Sequence, residues 1–379
     1  MGKGIVKLGE GNWAVKDGNL LAAKETNGRF KNAEFTVDRG TDATYVGRDG
    51  LIVNETGDDT PRIDFTDNTD GHLLLEPQST NLVTYSEDFE QWQSFGSITI
   101  NSNFATSPDG TQNASRLQWT NATNYIYQSL SHIGNDHTLS IYMKSNTASS
   151  QSVRLFMDNG AQGQDANVTT EWQRFTFSNS SATTQSNRNV GLIKSGTQVG
   201  DLDILIAFAQ FEALPYASSY IPTNGSTVTR DAETCTGAGS SADFNSEEGV
   251  LYAEIAALAN DGTSRRISLS NGSISNRVSL EIDETANRIR VHINASLITY
   301  DASDLTSFNK IAVKYKVNDH ALWLNGVEVA TSSSSEQTSG MNVLSFTNPT
   351  EAQVFYGKCK AIRVYKEALS DTDLQNLTS

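Results

Sequence analysis

Four groupings of residues in this chain are of types that could do chemistry: adjacent carboxylates, an Asp/Asn/Gly run, several histidines, and aromatics mixed with amides. The carboxylates are Glu87 and Asp88, in "TYSEDF". Paired acids that cleave a glycosidic bond stand roughly 5–9 Å apart and face one sugar. Neighbours on a strand point to opposite faces instead, so these two read as the polar rim of a strand. In the run "DNTDGH", placing Gly71 at the sixth position of a calcium loop puts Thr66 at the first ligand position and Pro77 where a bidentate Glu is needed, so an EF-hand is excluded. The histidines, His72, His132, His137, His292 and His320, are dispersed, and none joins a nucleophile elbow or a metal-binding helix motif. No Gly-rich phosphate loop follows a strand. The reading is therefore not of an enzyme.

The aromatic grouping is "LQWTNATNYIYQ", where Trp119, Tyr125 and Tyr127 are interleaved with Asn121, Asn124 and Gln128. A pyranose has apolar faces and hydroxyl edges, so rings beside amides suit it. On a strand Tyr125 and Tyr127 share a face and Ile126 points away. Trp119, Tyr125 and Tyr127 are thus candidate carbohydrate-binding residues, while Trp172 and Trp323, set within strongly alternating strands, are expected in the core.

Strands must position these groups. Period-two alternation recurs in "HTLSIYMK", "QSVRLFMD" and "EWQRFTFS", with turns expected at Pro108-Asp109-Gly110 and Asp158-Asn159-Gly160. "DLDILIAFAQF" is apolar on both sides, as a central strand would be. A second set follows in "RVSLEID", "NRIRVHIN", "KIAVKYKV" and "HALWLNGVEVA", whose Asn325-Gly326 marks a tight hairpin. "EALSDTDLQNL" predicts a short closing helix with Ser370 as N-cap. Residues 1–81 look irregular and read as an N-terminal arm, with Leu73–Leu75 as its last apolar anchor and Pro77 as its end. Residues 82–231 form a first β-sandwich, the small polar stretch 232–244 a linker, and residues 245–379 a second sandwich. The fold class expected is all-β, an extended arm and two jelly rolls.

Composition narrows the partners. Over 379 residues, 28 Lys and Arg face 44 Asp and Glu, a formal charge of −16. A surface that negative repels phosphate backbones and anionic lipid, so neither nucleic acid nor membrane is expected as a partner. The lack of a 20-residue apolar run or an apolar leader predicts no membrane span and no secretory signal. Two cysteines make neither a disulfide framework nor a zinc site; Cys235 and Cys359 are expected as two unrelated reduced thiols, with a single bridge between them the alternative.

Three stretches resemble, in order and spacing, a module of bacteriophage virion proteins of the tail-fibre, head-fibre and appendage type. They carry Arg39, Ala43-Thr44-Tyr45, Pro61-Arg62-Ile63-Asp64, Leu74-Leu75-Glu76, Thr80-Asn81-Leu82, Ser219-Tyr220-Ile221-Pro222-Thr223 and Thr229-Arg230. The C-terminal part, with "FNKIAVKYKVNDHALWLNGVEV" and "GKCKAIRVYKEALSDTDLQNL", is similar to laminin-G/concanavalin-like jelly rolls. The resemblance implies a virion structural protein made in the bacterial host cytoplasm and carried on the particle exterior. It implies docking to other virion proteins through the N-terminal arm, assembly as a homo-oligomer with a trimer expected, and display of a carbohydrate-binding-module-like jelly roll to host-surface glycans. A capsid decoration protein without ligand and a polysaccharide depolymerase are the alternatives. No cofactor is implied beyond a structural calcium, for which the matching places are Glu90 and Glu212, with Gln210 where an Asp would be expected.

Overall fold

The computed structural model describes residues 6–26, 29–56, 59–66, 68–132, 136–157, 162–179 and 185–379. The turn expected at Asp158-Asn159-Gly160 lies outside them. The fold is all-β; among the described residues the other elements are one short 3-10 turn and the C-terminal helix Asp371–Thr378, and the chain forms two compact units. The division differs from the one expected. One unit takes Met1–Asp42, Thr56–Pro77 and Ala232–Ser379; the other takes Ala43–Glu55 and Gln78–Asp231.

In the second unit two antiparallel five-stranded sheets enclose the core. One sheet runs in the order Gln93–Phe95, Tyr125–His132, Gln185–Lys194, Gln151–Met157, Gln162–Val168. The other runs Thr99–Ala105, Ala114–Trp119, Leu202–Glu212, His137–Ser145, Gln173–Asn179. Period-two alternation sends Ile126, Val153, Leu155, Val190 and Leu192 inward from the first sheet, against Leu117, Leu139, Ile141 and Ile204 from the second. The strand Leu202–Glu212 changes phase midway. Ile204 and Ile206 point into the core, then Ala209 and Phe211 do, because a bulge opposite Ser140 and Tyr142 holds Phe208 at φ 54°. This explains why the segment reads as apolar on both sides.

The outer face of the second sheet is covered by its own unit. Phe208 and Tyr220 pack there with Ile52, from the hairpin Ala43–Val46/Ile52–Glu55, and with Trp172. Thr44 Oγ1 donates to the Tyr220 carbonyl at 2.6 Å. Trp323 is buried in the other unit, as expected, whereas Trp172 is only partly buried.

The first unit is built on a sandwich of the C-terminal strands. Its smaller sheet is Ser296–Asp301, Arg288–Ile293, Arg277–Ile282, Arg265–Ser270, Val343–Ser345. The larger sheet contains Gly357–Tyr365, Glu248–Ala257, Asn309–Lys316, His320–Leu324 and Val327–Ser332. The Asn325-Gly326 hairpin forms with φ of 48° and 85°, and Ser370 caps the final helix, accepting from the Asp373 amide at 3.2 Å.

The N-terminal segment is not an irregular arm. Val6–Gly9 pairs with Gly357–Tyr365 and is followed in the sheet by Asn19–Thr26 and Arg29–Asp38, while His72–Leu75 pairs with Gly357–Cys359. Its buried residues alternate, Leu20 with Ala22 and Phe35 with Val37, so these strands extend the larger sheet and its core. The expected linker is also structural: Thr234–Thr236 pairs with Arg29–Asp38, and Cys235, Ala238 and Phe244 are buried. Cys235 and Cys359 are free but share one core cluster, and burial pushes both thiols up.

A fully buried ion-pair group ties these passages together. Arg39 Nη1 meets Glu233 Oε1 at 2.9 Å, Arg62 Nη2 meets Glu76 Oε2 at 2.9 Å, and Arg62 also donates to both oxygens of Glu233. The Glu76 amide donates to Glu233 Oε2 at 3.0 Å, and Arg39 donates to the carbonyls of Thr41 and Thr60. Two cations balance two anions. Burial pulls the Arg62 guanidinium down, but Glu233 and Glu76 more than reverse that and hold it above its ordinary range. Removing one member of such a group strands the others in low dielectric. Glu233→Gln is expected to lower stability by about 3–5 kcal/mol, read from the denaturant midpoint. A loss below about 1 kcal/mol would show that the group behaves like a surface pair.

Candidate functional site

The outward face of the first sheet of the second unit carries the aromatics. Ile126 belongs to the core, so its neighbours Tyr125 and Tyr127 point out, and the register aligns them in two rows across all five strands. One row is Phe95, Tyr125, Ile193, Arg154, Asp165; the other is Gln93, Tyr127, Gly191, Phe156, Gly163. Phe95 and Tyr125 stack with centroids 5.2 Å apart, Tyr125 meets Tyr127 at 5.3 Å, and the edge contact of Tyr125 with Phe156 is 5.6 Å. Phe95 is 55% exposed, Tyr125 and Tyr127 are half-buried, and Phe156 is buried.

Two glycines set the shape of this face. A Cβ on Gly191 would lie 2.0 Å from the Ile126 carbonyl oxygen and 2.8 Å from Tyr127 Cα; one on Gly163 would lie 2.6 Å from the Leu155 oxygen. Phe156 therefore lies between two positions with no side chain, and Tyr125 closes over it. The polar members of the rows border the rings: Gln93 on one edge strand, and the Arg154–Asp165 pair, 3.2 Å apart, on the other side. An exposed ring cluster with amides and charges at its edge matches a ligand having apolar faces and hydroxyl rims.

Trp119 does not belong here, which corrects the expectation. It is 2% exposed and lies in the core, because it shares the inward parity of Leu117, with Arg116 and Gln118 facing the other way. Phe95 and Phe156 were missed. Phe156 could have been found from the alternation of Val153, Leu155 and Met157, which leaves it outward; Phe95 lies in a three-residue edge strand with no pattern to read.

The carboxylates are arranged differently from the expected strand rim. Residues 83–88 are not in a named strand, and Glu87, Asp88 and Glu90 line one cleft of about 750 Å³ with Asn113 and Thr223. Glu87 accepts from the Tyr220 hydroxyl at 2.8 Å and from Asn113 Nδ2 at 3.2 Å, and Asp88 caps the 3-10 turn Phe89–Gln91. Burial raises Glu87 above the usual carboxylate range despite these two hydrogen bonds, and Asp109 adds to the rise.

Glu90 and Glu212 do not form a ligand pair. Glu90 is exposed, while Glu212 is fully buried and accepts from Ser79 Oγ at 2.6 Å, Gln210 Nε2 at 2.7 Å, the Ser218 amide at 2.8 Å and Ser218 Oγ at 2.6 Å. Four donors already satisfy that carboxylate. Among the described residues no group of three or more His, Cys, Asp or Glu is placed to hold a metal ion.

No protein-family model matches the chain, and no curated protein is significantly similar to it. Solved structures similar to part of it include the CBM40 module of the Ruminococcus gnavus IT-sialidase, at 20% identity and a TM-score of 0.31, over 38% of this chain and 94% of that one. Another is the CBM22-1 xylan-binding domain of Paenibacillus barcinonensis Xyn10C, at 15% identity and 0.27, over 37% and 94%. A third is an exo-β-1,3-galactanase of Phanerochaete chrysosporium, at 12% and 0.25, over 51% and 55%. At these scores the likeness carries no functional argument.

The close approach at Gly191 gives a direct test of the platform. Gly191→Ala is expected to cost about 1–3 kcal/mol and to change the near-UV circular dichroism of the tyrosines. An unchanged spectrum and melting temperature would mean that the missing side chain does not shape this face.

Proposed function

We propose that this chain is a non-catalytic glycan-binding protein whose ligand stacks on Phe95, Tyr125 and Tyr127, on the outward face of the second unit. One observation carries the reading: two aligned rows of aromatics with polar ends, on a sheet face where Phe95 stays 55% exposed. Burying an aromatic face against a sugar ring contributes dispersion and apolar burial, and the rigid rings lose little entropy on binding. Gln93, Arg154 and Asp165 supply donors and acceptors at the margin for hydroxyl groups.

The order of the motif residues from Arg39 to Arg230 supports a finer reading, that of a bacteriophage virion appendage protein presenting this face to a host-surface glycan. In it the chain is carried on the particle exterior as a homo-oligomer, a trimer by expectation, and is made in the host cytoplasm. Attachment to other virion proteins would use surfaces other than the N-terminal strands' sheet edges, since Val6–Gly9 and Asn19–Thr26 each pair on both sides.

A glycan array probed with the full chain is expected to show binding that Tyr125→Ala and Tyr127→Ala each weaken about two- to tenfold. Absence of any bound glycan would leave a decoration role ahead of adhesion. Incubation with host capsule is the second arm. New reducing ends that disappear with Glu87→Gln would overturn the binding reading in favour of cleavage at the acidic cleft.

A further inference from the structure

The smaller sheet of the first unit has an outward face unlike the rest of this acidic chain. Val278, Leu280 and Ile282 point into the core, so Arg277, Ser279 and Glu281 point out, and the register sets cations beside them. Arg290, Glu281 and Arg266 form one row; His292, Ser279 and Ser268 form the next; Asn294 precedes the third, where Arg277 pairs with Ser270. Three guanidiniums and an imidazole thus face two carboxylates, Glu281 and Asp283.

The ion pairs leave one cation over. Arg290 Nη2 meets Asp283 Oδ2 at 2.6 Å, and Arg266 Nη2 meets Glu281 Oε2 at 2.9 Å. Glu281 is also bonded by Ser264. Burial raises its carboxyl, but His292, Ser264 and Arg266 outweigh that and hold it down at about 2, so it is spent as an anion. Arg277 makes no ion pair among the described residues; its Nη1 donates only to the Ile274 carbonyl, at 2.9 Å. Burial and then the neighbouring charge of Arg266 pull it below its ordinary range, as an uncompensated cation requires. His292 Nε2 stands 3.6 Å from Glu281 Oε2, within ion-pair range but beyond hydrogen-bond reach. The Ser279 hydroxyl between them is fully buried and has no hydrogen-bond partner among the described residues. The face stays reachable, with the side chains of Arg290 25% and His292 19% exposed.

We propose that this face binds an anionic group carried by a saccharide, a carboxylate or a sulfate, seated between Arg277, Arg266 and His292. An oxyanion there accepts from the planar fork of Arg277 and offsets a charge that, among the described residues, no carboxylate pairs with and Glu281 only partly compensates. The formal charge of −16 selects against long polyanions, whose remaining charges would be repelled, and favours one acidic group on an otherwise neutral carrier. The exposed Thr299, next to Arg290 in the first row, offers a hydroxyl to such a carrier. The site is in the first unit and does not rest on the aromatic face of the second.

The test is calorimetric titration of the full chain with maltotriose bearing a single terminal uronic acid, maltotriose bearing a single sulfate, and maltotriose itself. One or both acidic trisaccharides are expected to bind, and the one that binds identifies the anion; maltotriose is expected not to compete with it. Arg277→Gln should weaken binding at least about tenfold, with Arg277→Lys intermediate because it keeps charge but loses the fork. Arg277→Lys also carries the test should Arg277→Gln fail to fold. Tyr127→Ala should leave the acidic affinity unchanged, which separates this site from glycan stacking. Failure of both acidic probes to bind, an affinity indifferent to Arg277, or equal binding of maltotriose would each overturn the proposal.

Discussion

Much of the first unit depends on one constraint: two buried arginines must be neutralised by two buried glutamates, and those four residues come from three distant parts of the chain. Arg39, Arg62 with Glu76, and Glu233 converge with side-chain exposures of 0–3%. None of these charges can be left alone, since an unpaired ion in that environment costs several kcal/mol. The strand Arg29–Asp38, the hairpin Ile63–Asp64/His72–Leu75 that Arg62 and Glu76 flank, and the edge strand Thr234–Thr236 are therefore held in register by electrostatics as well as by ladders. This is why a segment that looks irregular by periodicity is ordered. Its alternating apolar residues are few, and the charges specify where they dock.

The second unit solves a different problem, that of two outer sheet faces. One is covered from within the unit, by the hairpin carrying Ile52 and by Tyr220, with Phe208 turned outward by the bulge to meet them. Among the described residues of the unit no hairpin covers the opposite face in this way, and it carries Phe95, Tyr125 and Tyr127. Exposed rings cost free energy unless something stacks on them. Gly191 and Gly163 flank Phe156 in its row, and a Cβ at either would run into the backbone of the adjacent strand.

What could be read in the sequence follows from how local the deciding physics is. Alternation in the strands around Ile141, Val153 and Val291, the Asn325-Gly326 turn and the Ser370 cap are set by near neighbours, and all are present. The shared outward face of Tyr125 and Tyr127 was legible for the same reason. Trp119 is set by its parity with Leu117, which sends it inward despite the amides that surround it in sequence. The domain limits were not legible, because they depend on pairings between residues hundreds apart, such as Val6 with Val364 and Cys235 with Val37. The gathering of Glu87, Asp88 and Glu90 around one cleft also escaped a strand-based argument, since residues 83–88 are held by an isolated Tyr85–Asn224 bridge, by backbone bonds to residues 209, 223 and 225, and by side-chain bonds from Tyr220 and Asn113.

Most of the residues that carry the resemblance to virion appendages are buried. Arg39, Arg62 and Glu76 lie in the ion-pair group. Asn81 accepts from the Val83 and Phe211 amides and donates to the Ala209 and Ile221 carbonyls; Tyr220 joins Ser86 to Glu87; Arg230 donates to Ser219. A motif made of buried hydrogen-bonding residues encodes the path of the chain, and any protein following that path needs it whatever it binds. The faces proposed to recognise a ligand, the aromatic rows of one unit and the arginine face of the other, lie instead on outward positions that the motif does not include. The motif can therefore persist while the ligand changes, and the chemistry of recognition has to be read from the residues the motif does not contain.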